Sequence, residues 1–435
     1  MPKVAFYTLG CKVNQYDSDA MAELFLNRGY EIVDFHSNDA DIYIINTCDV
    51  TNESARKSRQ TIRKATRNNP KAQVAVVGCY AQLESKEVAA LPGVTLVVGT
   101  KDRHRIVDLL EEAIKKDEQV IAVEDIMKER TFEEIAFKGH RQRTRAFLKI
   151  QEGCNMFCSY CIIPYARGPI RSRSLEGIIN ETKSLAQDGF KEIVLTGIHL
   201  GLYGLDFEKE DLHLLNVIKR ISEIEGICRI RLSSIEALEL TDEFLNGVRD
   251  IRKFCHHFHV PLQSGSDTVL KRMNRRYTTK DFMQRIDYIR QIMPDAAITT
   301  DVIVGFPGET EDEYKETVEF IQKIGFTKLH VFPFSPRRKT PAAKMPNPIK
   351  RSIKQERSHK LIDLSLKLEE EFRTQFVGKK REVLFEEKKD DDIYEGLTDN
   401  YMKVLASSTS DIRNQVLEVE LAENREDYLW SKVKN

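Results

Sequence analysis

Short apolar runs separated by polar stretches of helical period recur along most of the chain. Val4–Leu9, Asp41–Asn46, Gln73–Val77 and Thr95–Val98 read as strands, and the second (DIYIIN) is nearly all apolar, as a strand covered on both faces must be. Ser18–Asn27, opened by Ser and Asp and stopped at Gly29, reads as a helix, as does Asn52–Arg67. This alternation predicts a small parallel sheet covered by helices over residues 1–120. Residues 121–140 are charged and irregular and read as a linker. A second alternation occupies residues 141–372, with strands at Phe147–Ile150, Glu192–Leu195, Arg229–Leu232, His257–Val260, Ala297–Val304 and Lys328–Phe332, and helices at Ser174–Asp188, Thr279–Ile292 and Glu311–Ile324. About six βα units predict a partial (β/α) barrel whose working face lies at the strand C-termini. After a long charged helix, Ile349–Phe376, the segments REVLFEE, YEGLTD, YMKVLA and QVLEVEL predict a small antiparallel β-barrel over residues 373–435. The expected fold class is therefore α/β with a β-barrel appended.

Composition narrows the choice only a little. Of 435 residues, 41% are hydrophobic and 31% charged, enough to bury a sizeable core. The net charge of −1 gives no whole-chain argument for an anionic partner. No apolar run approaches the ~20 residues of a membrane helix, and the opening MPKVAFY reads as a strand and not as a signal peptide, so no membrane association and a cytoplasmic location are expected. In such a reducing compartment the eight cysteines point away from disulfides.

Cys154, Cys158 and Cys161 stand together in a C-x-x-x-C-x-x-C run that follows a strand and begins just past Gly153. Thiolates hold iron–sulfur clusters, and three from one loop leave one iron of a cubane open to another ligand. A zinc site is the competing reading, but structural zinc prefers paired C-x-x-C knuckles with a fourth donor, and no second knuckle is visible. Cys11, Cys48 and Cys79 each follow one of the predicted amino-terminal strands, whose C-terminal ends share one edge of a parallel sheet. They read equally well as a second thiolate trio or as small buried cysteines. Cys228 and Cys255 read as core.

With these motifs the chain resembles the radical S-adenosylmethionine methylthiotransferase family. The Cys154–Cys161 run is similar to the family's radical signature, and Leu-Gly-Cys11-Lys-Val-Asn, Asn-Thr-Cys48 and Val-Gly-Cys79 resemble its amino-terminal domain. The carboxy-terminal segment resembles its TRAM barrel. Gly10-Cys11-Lys12-Val13-Asn14-Gln15 is most like the branch acting on threonylcarbamoyladenosine in tRNA. The alternatives are methylthiolation of isopentenyladenosine in tRNA or of a ribosomal-protein aspartate. The resemblance implies two 4Fe-4S clusters, one on Cys154, Cys158 and Cys161 and one on Cys11, Cys48 and Cys79. It also implies two uses of S-adenosylmethionine, one for a radical and one for methyl transfer, at C2 of the adenine at position 37. Tyr160, Thr196, Gly197, Ser233, Gln263 and Ile303 match positions around S-adenosylmethionine, and no catalytic residue beyond the cluster ligands is implied. An electron donor such as flavodoxin or ferredoxin and a sulfur source are implied as partners. An electron-transfer protein or a pure RNA-binding module is the reading from another class. The first leaves the long barrel after the cluster loop unused, and the second leaves six placed cysteines unexplained.

Basic residues cluster despite the neutral total. Arg141, Arg143 and Arg145, with Arg167, Arg171 and Arg173, flank the cysteine loop, and Arg337-Arg338-Lys339 forms another group. They are expected to contact the RNA backbone around the anticodon loop, principally through Arg141, Arg143, Arg145, Arg337 and Arg338. The carboxy-terminal barrel, by contrast, is acidic, most densely over Glu386–Asp392.

Overall fold

A computed structural model describes residues 1–135, 144–208 and 211–433. Arg141 and Arg143 lie outside the described residues.

The amino-terminal part is a six-stranded parallel sheet of β1 (Lys3–Thr8), β2 (Glu31–Val33), β3 (Ile42–Thr47), β4 (Gln73–Gly78), β5 (Val94–Val98) and β6 (Val120–Ala122), ordered β2-β1-β3-β4-β5-β6. Separate apolar clusters cover its two faces, which is why the central strand β3 is buried at every position. The short edge strands β2 and β6 were not anticipated. Helix α1 begins at Lys12, earlier than the sequence pattern suggested, and runs to Asn27. Its first turns bury Asn14, Asp17 and Ser18 as well as Val13 and Tyr16, so no polar stripe marks its start.

The second part contains six parallel strands. β7 (Arg145–Lys149) pairs with β10 (Glu192–Thr196) and β10 with β11 (Arg229–Leu232), while β12 (His257–His259), β13 (Ala297–Val304) and β14 (Lys328–Pro333) form a second set. Bridges Ile230–Phe254 and Ser234–His259 join the two sets into one curved wall. Between β7 and β10 the two-residue strands β8 (Gln151–Glu152) and β9 (Arg171–Ser172) pair antiparallel and bracket the cysteine loop. Among the described residues no ladder joins β7 to β14, so the barrel is open there. Helix α1 packs on β7 beside this opening.

The strands obey period two. Ile193, Leu195, Ile230, Leu232, Phe258, Val260, Ile298, Val302, Val304 and Leu329 belong to the main core beneath the surrounding helices. Their alternates therefore face the lumen, among them Glu192, Arg229, Arg231, His257, His259, Thr299, Asp301, Lys328 and His330. A small closed barrel follows, with β15 (Lys380–Asp390), β16 (Ile393–Thr398), β17 (Lys403–Ser407), β18 (Val416–Arg425) and β19 (Tyr428–Lys432) in the order β15-β16-β17-β19-β18. The last strand was not foreseen, because it pairs parallel with β17 and not only as a hairpin. This barrel sits at the N-terminal end of the lumen. Arg229 donates to the carbonyls of Leu397 (2.7 Å) and Glu382 (2.8 Å), and Arg231 to that of Asp399 (2.8 Å). No helix among the described residues is long and apolar enough to cross a membrane.

Candidate active site

Two cysteine trios occupy neighbouring edges. In the six-stranded sheet β1, β3 and β4 are adjacent, so the loops that follow them lie side by side, with strands ~4.8 Å apart. Cys11 is the N-cap of α1, Cys48 directly follows β3, and Cys79 directly follows β4 and opens the helix Cys79–Leu83. Gly10 has φ +108°, and a Cβ there would come within 3.0 Å of the Cys48 Cβ and 3.2 Å of its Sγ. Only glycine lets the Cys11 loop approach Cys48 this closely. Asn14 ties the loops together, donating to the carbonyls of Leu9 (2.7 Å) and Thr47 (3.0 Å).

The second trio lies past the C-terminal end of β7. The Cys154 amide donates to the Gly168 carbonyl (3.0 Å), that of Cys161 to the Cys158 carbonyl (2.9 Å), and that of Ser159 to the Met273 carbonyl (2.9 Å). Gly153, at φ +77°, lies against the Pro169 carbonyl, where a Cβ would be 1.8 Å away. Arg275 donates to the Cys158 Sγ at 3.5 Å and pairs with Glu236. His199 is buried, with Nδ1 3.5 Å from the Cys154 Sγ and Nε2 on Glu239. Burial alone would lower its pKa, but Cys154 and Glu239 overcome that and raise it to about 10. It is thus a partnered interior histidine.

Burial pushes the Cys79 thiol up to about 12 against the pull of Arg167, and the Cys161 thiol up to about 12 with Cys158 adding to the effect. Burial likewise raises Cys48. Thiols this reluctant to ionise alone become good ligands only when a cation takes the negative charge, which is what a cluster iron offers. Among the described residues no three Cys, His, Asp or Glu side chains converge tightly enough for a single ion.

Arg167, in the helix Ile163–Arg167 just beyond Cys161, reaches from one trio to the other. Its Nε donates to the Cys79 Sγ at 3.4 Å, its Nη2 to Asn14 Oδ1 at 2.5 Å, and its Nη1 pairs with Asp17 (2.9 Å) and Glu152. Arg103 joins Asp17, Glu152 (3.0 Å) and Glu133 (2.8 Å), Lys149 joins Asp17 (2.5 Å) and Glu152 (3.3 Å), and Arg171 lies 3.9 Å from Glu152. Four cations meet three carboxylates in this network, and Arg167 brings one of them against Cys79. Burial raises the Asp17 carboxyl, but Arg103, Lys149 and Arg167 outweigh it and hold the group below its ordinary value. This network escaped the sequence reading because its members lie far apart in the chain.

The residues matched to the S-adenosylmethionine site surround the C-terminal mouth of the barrel. Tyr160 and Ile303 pack on one cluster with Val269 and Phe306. Thr196 ends β10, and Gly197 lies against Gln151, whose Oε1 accepts from the His199 amide (2.7 Å). Gln263 holds φ +66°, sparsely populated for a side chain of this size, between the backbones of Asp301 and Ile303. Ser233 is buried, with an Oγ that has no partner among the described residues.

The basic residues fare differently. Arg167, Arg171 and Arg173 are interior, not RNA-facing. Arg145 pairs with Glu386 (2.6 Å) and lies over the Tyr401 ring. Arg337 is buried on Asp49 and Asn52 (2.5 Å), fastening the loop after β14 to the amino-terminal sheet. Neither guanidinium is free for a phosphate, because each is spent between domains. Arg338 is exposed with no partner among the described residues. Cys255 is buried as expected, but Cys228 is exposed, because its strand begins only at Arg229.

The Radical SAM superfamily matches residues 148–321, and the uncharacterized protein family UPF0004 matches residues 3–99. The threonylcarbamoyladenosine tRNA methylthiotransferase MtaB of Bacillus subtilis is 46% identical, with 97% of this chain and 94% of that protein covered. The protein of the same name from Aquifex aeolicus is 42% identical, covering 92% and 96%. The tRNA-2-methylthio-N(6)-dimethylallyladenosine synthase of Thermoanaerobacter pseudethanolicus is 38% identical, covering 87% and 81%. Among solved structures, the radical S-adenosylmethionine methyltransferase TsrM of Kitasatospora setae superposes with a TM-score of 0.57 at 16% identity, covering 79% of this chain and 77% of that one, a likeness of fold alone.

Proposed function

Because the chain belongs to the radical S-adenosylmethionine tRNA methylthiotransferases, we propose that it methylthiolates C2 of the adenine in N6-threonylcarbamoyladenosine at position 37 of tRNA. The observation that carries this reading is the 46% identity, across nearly the full length of both chains, to a relative named for that substrate. The dimethylallyladenosine synthases are less similar and stand as the second reading.

A radical S-adenosylmethionine enzyme holds a 4Fe-4S cluster, which together with that cosubstrate supplies a radical able to take hydrogen from an unactivated C–H bond. In our reading Cys154, Cys158 and Cys161 hold this cluster, and the loop bonds around Gly153 and Cys161 fix their spacing. Tyr160, Thr196, Gly197, Ser233, Gln263 and Ile303 bind S-adenosylmethionine at the barrel mouth. Cys11, Cys48 and Cys79 would hold a second 4Fe-4S cluster, which would supply the sulfur chemistry of the reaction. Arg167 offsets the negative charge that thiolate ligation brings to Cys79. The anticodon loop of tRNA is the substrate, a flavodoxin or ferredoxin is the class of electron donor, and a separate sulfur source completes the partners. Adenine in an anticodon loop is largely unpaired, so presenting it to an interior site costs little.

The test is a deletion strain analysed by mass spectrometry of tRNA nucleosides. The methylthio form of threonylcarbamoyladenosine should vanish while its precursor accumulates. Loss of methylthio-dimethylallyladenosine instead would favour the second reading.

A further inference from the structure

The lower lumen, between the six-stranded barrel and the small barrel, holds a cavity of about 560 Å³ that is partly open to solvent, within the range of small-ligand sites. Its polar wall includes Lys12, His257, His330, Thr299 and Tyr401, and Leu366, Phe372 and Met402 add apolar surface. Lys12 is the chain neighbour of Cys11, so the cavity adjoins the edge where the amino-terminal cysteines lie.

The charges around this cavity do not balance. Its acids are already engaged, Glu369 with Lys328 (3.2 Å) and Arg373 (3.6 Å), and Asp427 with Lys403. Lys12 has no ion pair or hydrogen bond among the described residues. His257, 6% exposed, stacks on Tyr401 with ring centroids 4.8 Å apart and rests Nε2 on Thr299 Oγ1 (3.2 Å). Its Nδ1 is buried without a partner. A buried polar atom left unpaired is costly, and Lys12, solvent-exposed at the rim of the cavity, carries a charge that no carboxylate of the cavity wall pairs with. An occupant bringing one negative charge and a hydrogen-bonding group would satisfy both.

We propose that this cavity receives the carboxylate-bearing threonyl end of the N6 substituent, with Lys12 as its counter-ion and His257 as a hydrogen-bonding partner. The proposal rests on the threonylcarbamoyladenosine reading above and makes Lys12 and His257 specificity-determining residues. A dimethylallyl group would leave both unsatisfied. The site therefore discriminates by attraction at Lys12 and by the cost of leaving the buried His257 Nδ1 unpaired.

The test uses the full-length, cluster-reconstituted protein and three anticodon stem-loop RNAs carrying threonylcarbamoyladenosine, its carboxyl methyl ester, or plain adenosine at position 37. The wild type should bind the free acid about tenfold or more tightly than the ester, as expected for one charge-assisted contact. Lys12→Gln, checked for unchanged iron content, should erase that preference while leaving affinity for the plain-adenosine RNA unaltered. Equal wild-type affinity for acid and ester would overturn the proposal without requiring any variant. A Lys12→Gln protein that weakens on all three RNAs alike would place Lys12 on a backbone phosphate and overturn it too. If, in a turnover assay that adds a dimethylallyladenosine stem-loop, the wild type methylthiolates only that RNA, the parent reading fails. If it methylthiolates the threonylcarbamoyl RNA while binding acid and ester equally, only the cavity assignment fails.

Discussion

Replacing Arg167 with Ala should loosen the junction between the two cysteine sites. The side chain is 1% exposed and joins Asp17, Glu152, Asn14 and Cys79. Removing one partner from a buried ion pair costs about 3–5 kcal/mol, because the remaining charge is left uncompensated. Here Asp17 and Glu152 both retain Arg103 and Lys149, so the loss should fall near the lower end, about 3 kcal/mol. At about 2 °C per kcal/mol for larger domains, the thermal transition should drop by roughly 6 °C. The measurement is a circular-dichroism melt of the iron-free full chain, which removes any contribution from clusters. The pH dependence gives a second readout. Asp17 is held below its ordinary pKa, so the stability it contributes is present near neutrality and lost as pH falls through that lowered value. Without Arg167 the folded-state value rises, and acid unfolding should begin at higher pH. Arg167→Lys should recover part of the stability, since it keeps the charge but cannot span four partners. A melt for Arg167→Ala within about 1 °C of wild type, well below the shift expected from a broken buried pair, would refute the reasoning.

Anaerobic reconstitution should load about eight irons per chain, and changing Cys154, Cys158 and Cys161 together to Ala should leave about half; a folded triple variant holding no iron would contradict two sites. Cys11→Ala should still form deoxyadenosine from S-adenosylmethionine while yielding no methylthiolated RNA, whereas Cys158→Ala should do neither; loss of cosubstrate cleavage in Cys11→Ala with the other cluster intact would reverse the roles. Arg338→Ala should weaken tRNA binding and reduce the slope of log affinity against log salt by about one, as for a lost phosphate contact. Arg337→Ala, by contrast, should lower thermal stability, because it strips Asp49 of its buried partner; equal salt effects from both variants would show that Arg337 leaves its seat on RNA binding.

The two α/β parts were legible because strands buried on both faces are apolar and short, and the small barrel because its strands alternate. The cysteine trios were legible because their residues come just after strands, where a short cysteine motif stands out from the apolar run before it. The beginning of α1 was not, since a helix that buries Asn14 and Asp17 against another domain shows no amphipathic period there. Nor were the interior arginines. Arg103 finds Asp17 and Glu152 across long stretches of chain, and an arginine beside a functional loop reads from sequence as solvated. The polar lumen was not read from the sequence, although RIRLS and HFHVP alternate, because which alternate faces inward depends on the helices outside.

Helix α1 gathers several duties within two turns. Cys11 caps it, Lys12 faces the lumen cavity, Asn14 clamps neighbouring loops, and Asp17 is anchored to the other domain. The apparent boundary between the amino-terminal sheet and the barrel is therefore no place to cut for recombination. A chimera joined in the linker would import a foreign α1 against a native Arg167, Lys149 and Glu152, and so would break the buried network that joins the two parts. Modular exchange in this architecture has to move α1 and the helix Ile163–Arg167 as one piece, though more than a hundred residues separate them.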